Sequence, residues 1–389
     1  MFYNNVGSND PFASNGFQPH HNTTMEVNGL KCVLNMPKAV PRRFNADGTE
    51  AAVELPPYSP RAAFAVDEYE ASPDSWMHGS GKAGSYFVPI VPEHGMWLDF
   101  NTNNSHSHHV GVVVSVQGVN PLTGLKADPL RLEQYRETCP KHKVMFEMNR
   151  HCPECKYAWH PQNYISSNNG SPFWIDGFRT EDGVVRQWYF TEEECKGVAA
   201  QILGKDRVFA IGVAFYLSKN PKPKPVYQVY TASASSYSWG GGGGTYGSSV
   251  VCSTANPFLS SYEPLGDIYD NQKLGSFEAE SPEPMKSAVN MTKGLSADSD
   301  FRMGRIIRSR SASKAPKAVP NKQLEIGAGA KIIQQINPDP ENLDFWQDEP
   351  AGLLYINYCD VVTARTIIAQ GKRAVNADGF LNGLQLKDK

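Results

Sequence analysis

The sequence predicts a β-rich α+β protein built on an antiparallel sandwich or barrel-like core, with a small C-terminal αβ module. Three observations carry this prediction. Gly 33, Pro 28, Tyr 17 and Phe 18 in 389 residues make a composition of turns and aromatic strands. Runs of apolar and β-branched residues recur between turn signals, as at 110–116 and 208–217. Helical periodicity is confined to two short stretches, one after Thr191 and one after Asp360.

Residues 1–85 are rich in Asn, Pro, Ser and Gly, with one expected strand at 25–36 and a Pro-bearing stretch at 55–60. They are expected to form an extended N-terminal arm. Its apolar groups, among them Phe2, Tyr3, Phe12, Phe17, Tyr58 and Phe64, show no periodic face able to build an independent core. Such an arm gains by lying on another surface, either its own core or a second molecule. The core is expected over 86–230. Strands are expected at 85–91, 96–100 and 110–116, and the last is apolar on both alternating sets, so it should be central and covered on both faces. Stretches 173–179 and 184–190 flank Glu181-Asp182-Gly183 and predict a hairpin. Thr191 and Glu194 have the spacing of a capping box, followed by Cys195, Val198, Ala199, Ile202 and Leu203 on one helical face and by Gly204 as the stop. Residues 208–217 form another buried strand, and alternating prolines from Pro221 to Pro225 end the segment stiffly. The chain then turns Gly/Ser-rich, next acidic and finally basic over 231–322, the composition of a linker. The C-terminal module at 323–389 holds a strand at 353–358 and a helix capped by Asp360. No internal repeat is apparent.

The totals limit the function classes. A net charge of -3 gives no global field towards nucleic acid or a membrane surface. No stretch of about 18 apolar residues is present, and the first residues lack a basic and an apolar region, so a cytoplasmic protein without membrane contact is expected. Of seven cysteines, Cys32, Cys195, Cys252 and Cys359 are scattered, which fits small buried side chains in a reducing compartment.

The other three cysteines carry the strongest signal. Cys139-Pro-Lys-His142 is followed, nine residues on, by Cys152-Pro-Glu-Cys155. Two turns, each offering a ligand pair at i and i+3, supply the thiolate and imidazole donors of a tetrahedral zinc from a short piece of chain. The proline after each leading cysteine bends the turn so that backbone N–H groups face the sulfur. Tyr157 and Trp159 are placed to pack beside the second pair. Over residues 139–160 the segment resembles a zinc ribbon, which implies one structural zinc on Cys139, His142, Cys152 and Cys155. The ribbon family usually has cysteine where His142 stands, and His151 and His160 are the rival fourth ligands. Crowding between adjacent His151 and Cys152 favours His142. The whole is a zinc-knuckle insertion, 131–165, in the β core.

Two weaker constellations accompany it. His106, His108 and His109, with Glu93 and His94 before them, suggest the ligands of a cupin-type metal enzyme. The carboxylate that should follow is replaced by Val110-Gly111-Val112, and an exposed polar turn accounts for the cluster. Seven Lys or Arg and no acid lie between Phe301 and Gln323, a stretch that could touch phosphates but has no interleaved aromatics to stack on bases. The sequence therefore favours a non-enzymatic structural or assembly protein that associates through its arm with itself or a larger assembly. A metal-dependent enzyme using His106 to His109, or a nucleic-acid binder using 302–322, is the alternative.

Overall fold

The first apolar stretch, expected as one strand, is a hairpin in the computed structural model, which describes residues 12, 22–54, 57–147, 150–170, 172–180, 183–223 and 323–372. All of these except Pro223 lie in one compact unit of the chain, 1–222 with 299–389. Strands β1 (Thr24–Val27) and β2 (Leu30–Asn35) are joined by Asn28-Gly29, both at positive φ, the pair that a two-residue primed turn requires. β3 (Arg43–Phe44) and β4 (Glu50–Ala51) form a small separate ribbon. There follow β5 (Phe64–Ala65), β6 (Ala83–Ile90), β7 (Gly95–Asp99) and β8 (His108–Val116). After a long excursion come β9 (Tyr164–Ser166), β10 (Trp174–Ile175), β11 (Gly177–Arg179) and β12 (Val185–Thr191). Helix α1 (Val198–Leu203), β13 (Ala210–Pro221), β14 (Glu325–Ile332), β15 (Gly352–Asp360) and α2 (Val361–Ala369) complete the described elements.

The described strands form two main sheets, with no closed barrel among them. One runs β1-β2-β7-β12-β11, with β10 beside β7 and β14 beside β12; the other runs β5-β6-β15-β13-β8-β9. Every described ladder in the two sheets is antiparallel except β15 on β6. The principal core lies between them, with Met25, Leu34, Leu98 and Trp188 of the first sheet meeting Val112, Val114, Val213 and Ile356 of the second. The outer face of the second sheet is covered as well. Phe87 packs there with Trp76, Ala364 and Ile367, while Val113 and Ala214 pack with Tyr164 and Trp346. This double cover explains why residues 110–116 are apolar on both alternating sets, as the sequence predicts for a central strand.

Tertiary contacts override several local expectations. The Thr191–Glu194 capping box does not form: Thr191 ends β12, its Oγ1 accepts from the Glu193 amide, and Glu194 pairs with Arg207. The helix starts only at Val198, because Gly197 is extended and bridges Gly327 of β14. A Cβ on Gly197 would meet the Glu325 side chain at 2.7 Å, so the close approach excludes larger residues. Cys195 is left exposed outside the helix.

The C-terminal strand and helix have the bounds the sequence suggests, but they are not a separate module. β15 pairs with β13 on one side and β6 on the other, and β14 adds to β12. Residues 352–359 are buried throughout, the same two-faced apolar signature as β8. The described part of the arm likewise folds onto its own core: β1 and β2 are strands of the first sheet, and Phe64 stacks on Phe87 at 5.2 Å. The expected linker, 231–322, lies outside the described residues. Asp360 caps α2 by accepting from the amides of Val362 and Thr363 at 2.8 and 2.9 Å. Asp360→Ala is expected to lower stability by about 1 kcal/mol in urea melts, the usual worth of such a cap.

Candidate metal centre

The excursion between β8 and β9 carries the cysteine pairs. It leaves β8 at Val116 and returns as β9, which pairs back on β8 through Val112↔Ile165. Within it two turns have the same build. In the first, Thr138 bridges Met145, the Cys139 amide donates to Val144 O at 2.8 Å, and the Lys143 amide donates to Cys139 O at 2.8 Å. In the second, His151 bridges Ala158, the Cys152 amide donates to Tyr157 O at 3.1 Å, and the Lys156 amide donates to Cys152 O at 2.8 Å. Lys143 and Lys156 both take φ +58°, a left-handed conformation disfavoured for a side chain and held here by the turn around each sulfur. The two turns are thus copies of one Cys-Pro-x-x-Lys unit, 13 residues apart, a short repeat not among the sequence-based expectations. Its signal was legible in the recurring Cys-Pro and Lys.

The turns bring Cys139, His142, Cys152 and Cys155 together, with their ligand atoms all within 4.8 Å of one another, and this group could hold a metal ion. His142 Nδ1 lies 3.4 Å from Cys152 Sγ and 3.8 Å from Cys139 Sγ, so the imidazole presents that nitrogen to the thiols. Cys139 and Cys152 are buried. The His142 amide lies 3.4 Å from Cys139 Sγ. Burial raises the Cys139 thiol. Burial also opposes ionisation of Cys152, but the amides of Cys155 and Glu154 together with the Cys155 and Cys139 thiols outweigh it and hold that thiol below its ordinary range. The rival histidines are elsewhere. His151 serves the second turn, and buried His160 places Nδ1 2.9 Å from Gln162 O and Nε2 3.2 Å from Ile336 O.

Aromatic and cationic groups fix this insertion. Trp159 is buried with the two cysteines, and its ring meets Tyr157 edge to face at 4.7 Å. Arg179, from β11 of the first sheet, donates to Ala158 O at 2.7 Å and lies 5.8 Å from the Tyr157 ring. Arg150 donates to Trp159 O, Arg136 O and Tyr135 O and sits over Phe146. Neither arginine is conspicuous in the sequence, because their partners are backbone carbonyls.

The other histidines do not converge. His106 and His108 have ring centroids 5.9 Å apart, but the His106 Nδ1 accepts from the His108 amide and the His109 ring faces Phe345. Among the described residues, the cysteine and histidine turns form the group with metal-holding geometry. The basic stretch 302–322 lies outside the described residues. No helix of the described residues is long and apolar enough to cross a membrane. The fold and site together define a β-rich protein with a four-residue Cys/His group that could hold a metal ion, carried on a strand-to-strand excursion. The chain matches no protein-family model, no curated protein and no solved structure.

Proposed function

We propose that this is a non-enzymatic structural or assembly protein whose insertion is stapled by one structural zinc. The observation that carries the reading is the convergence of three thiols and the His142 Nδ1 within 4.8 Å. Zinc–ligand lengths near 2.3 Å for sulfur and 2.0–2.1 Å for nitrogen put tetrahedral S···N and S···S edges at about 3.6 and 3.8 Å. The His142 contacts of 3.4 and 3.8 Å fit those edges. Three cysteines and one histidine fill a tetrahedron and leave no position for substrate or activated water, which favours a staple over a catalytic ion. A groove of about 500 Å³ beside the first turn is lined by Lys126, Glu133, Tyr135 and Lys143, with no histidine, cysteine or serine in its wall. No disulfide joins any of the six described cysteines, which supports a reducing compartment, the cytoplasm in this reading. Association through the N-terminal arm, with another copy or a larger assembly, is the proposed use of the fold.

The test is metal content. Protein purified without added metal is expected to carry about one zinc per chain by elemental analysis. Two ions per chain, or none after expression in zinc-replete medium, would refute the staple.

A further inference from the structure

We propose that Tyr58, Trp97 and Trp174, gathered around Asp99 on the outer face of the first sheet, form a binding site for a methylated ammonium group carried on a lysine side chain of a partner protein. The site shares no residue with the metal centre and does not require association through the arm. Strand alternation builds it. In β7, Met96 and Leu98 point into the core between the sheets, so Trp97 and Asp99 point the other way. Trp174 of β10 stands directly opposite Asp99 in the ladder, while Ile175 beside it joins the core. Tyr58 reaches this face from the segment whose Pro60 bridges Asn35. Its ring lies 6.0 Å from Trp97, and Trp97 lies 6.4 Å from Trp174. Tyr58 is 60% exposed and both indoles are half-buried, so the rings are open to a ligand.

Asp99 supplies the charge. Its Oδ1 accepts from both the amide and the Nδ2 of Asn101 at 2.8 Å. Its Oδ2 accepts nothing, and no Lys or Arg pairs with the carboxylate, among the described residues. Burial pushes the Asp99 pKa up, opposed by Asn101 alone. Burial and then the Asp99 charge raise the Tyr58 hydroxyl, so the carboxylate acts at that ring too. An unpaired carboxylate among electron-rich ring faces attracts a cation on two counts. The geometry selects its type. Neighbouring rings are tilted by 61° and 63°, so their faces point in different directions, as walls around a compact cation do, whereas a flat sugar ring stacks on coplanar faces. The Trp97 Nε1 is buried, which leaves the π system of that ring for the contact. A guanidinium grips a carboxylate through two parallel N–H···O bonds, and Asp99 has one oxygen left. A bare lysine ammonium is strongly hydrated; methylation removes its N–H donors and loosens that water while the charge stays. A small free ligand binds in an enclosed pocket that buries most of its surface, and this face is open, so the group needs a polypeptide to bring further contacts.

The experiment is calorimetric titration of the full chain with a short Gly/Ala peptide carrying one central trimethyllysine. The same peptide with lysine, the same peptide with a neutral tert-butyl group in place of trimethylammonium, and free choline are the comparisons. The trimethyllysine peptide is expected to bind about tenfold more tightly than the lysine and neutral peptides, the scale of a desolvated cation on aromatic faces. Free choline, which lacks the peptide's further contacts, is expected to bind more weakly than the trimethyllysine peptide. Tyr58→Ala, at an exposed position, and Asp99→Asn are each expected to weaken the trimethyllysine peptide roughly fivefold, while Tyr58→Phe keeps its binding. Should Asp99→Asn not fold, Tyr58→Ala against Tyr58→Phe decides. Equal binding of the charged and neutral peptides, or unchanged binding by Tyr58→Ala, overturns the proposal. Choline that binds as tightly as the peptide overturns the polypeptide source. Absence of trimethyllysine binding at millimolar peptide overturns the site and leaves the zinc staple and arm association standing.

Discussion

Cys152→Ser is expected to abolish metal binding and to release the insertion while the sandwich stays folded. Cys152 is buried within the Cys/His group, and with Cys139 and Trp159 it makes a small core that is not expected to hold the turns at 139–159 by apolar burial alone. Loss of a structural metal belongs with the largest single-site effects, so a cost on the order of 3–5 kcal/mol is expected. The sandwich core has its own large side chains and shares none with the ligand turns. Hydrogen exchange checks the partition. The Lys143 and Lys156 amides, each bonded to a cysteine carbonyl at 2.8 Å, should lose protection in the variant and on chelation of the wild type. Val213, in the middle of β13, should keep it. Retention of full metal content by the variant would show that Cys152 is not a ligand.

Asp176→Asn is expected to stabilise the protein, by an amount that grows with pH. Asp176 sits between β10 and β11, 1% exposed, and neither carboxyl oxygen has a hydrogen-bond partner. Burial without a compensating charge pushes its pKa up to about 8. In the unfolded chain the same group titrates near 3.9. Between those values the folded protein holds a proton that the unfolded chain has released, so stability is fully present below about pH 4 and falls as pH rises towards about 8. Asparagine has nearly the same shape and cannot ionise. Its advantage should grow by about 4 kcal/mol between pH 5 and pH 8, three pH units at about 1.4 kcal/mol each. Urea melts of both proteins at pH 5, 6, 7 and 8 measure this. A difference that does not change with pH would mean that Asp176 is already ionised in the fold.

Much of the fold was legible where the cause is local. The two-faced apolar run of β8 requires cover on both sides, and Asp360 has the geometry of a helix cap wherever its helix packs. The paired cysteines fall into one site because each turn closes on itself within six residues, through Cys139 with Val144 and Cys152 with Tyr157. The misses have equally specific causes. Asn28-Gly29 carries a strong turn signal that was hidden inside a longer apolar stretch. The helix at 198–203 is shorter than the expected one because its first turn yields to the Gly197–Gly327 approach, a contact between residues 130 apart in sequence.

The sequence by itself determined the strand-rich class and the pairing of Cys139 and His142 with Cys152 and Cys155 in two short turns, since these depend on periodicity, turn chemistry and spacing within a few residues. Only the tertiary structure decided that 323–372 belongs to the core, that Arg179 clamps the insertion from another strand and that Asp176 is buried without a partner. Strand pairing depends on complementary edges and faces that are brought together, and the entropy of closing an intervening loop grows only slowly with its length. The hundred or so residues between β13 and β14 therefore add little to the cost of placing β15 against β13, and no local pattern records that choice.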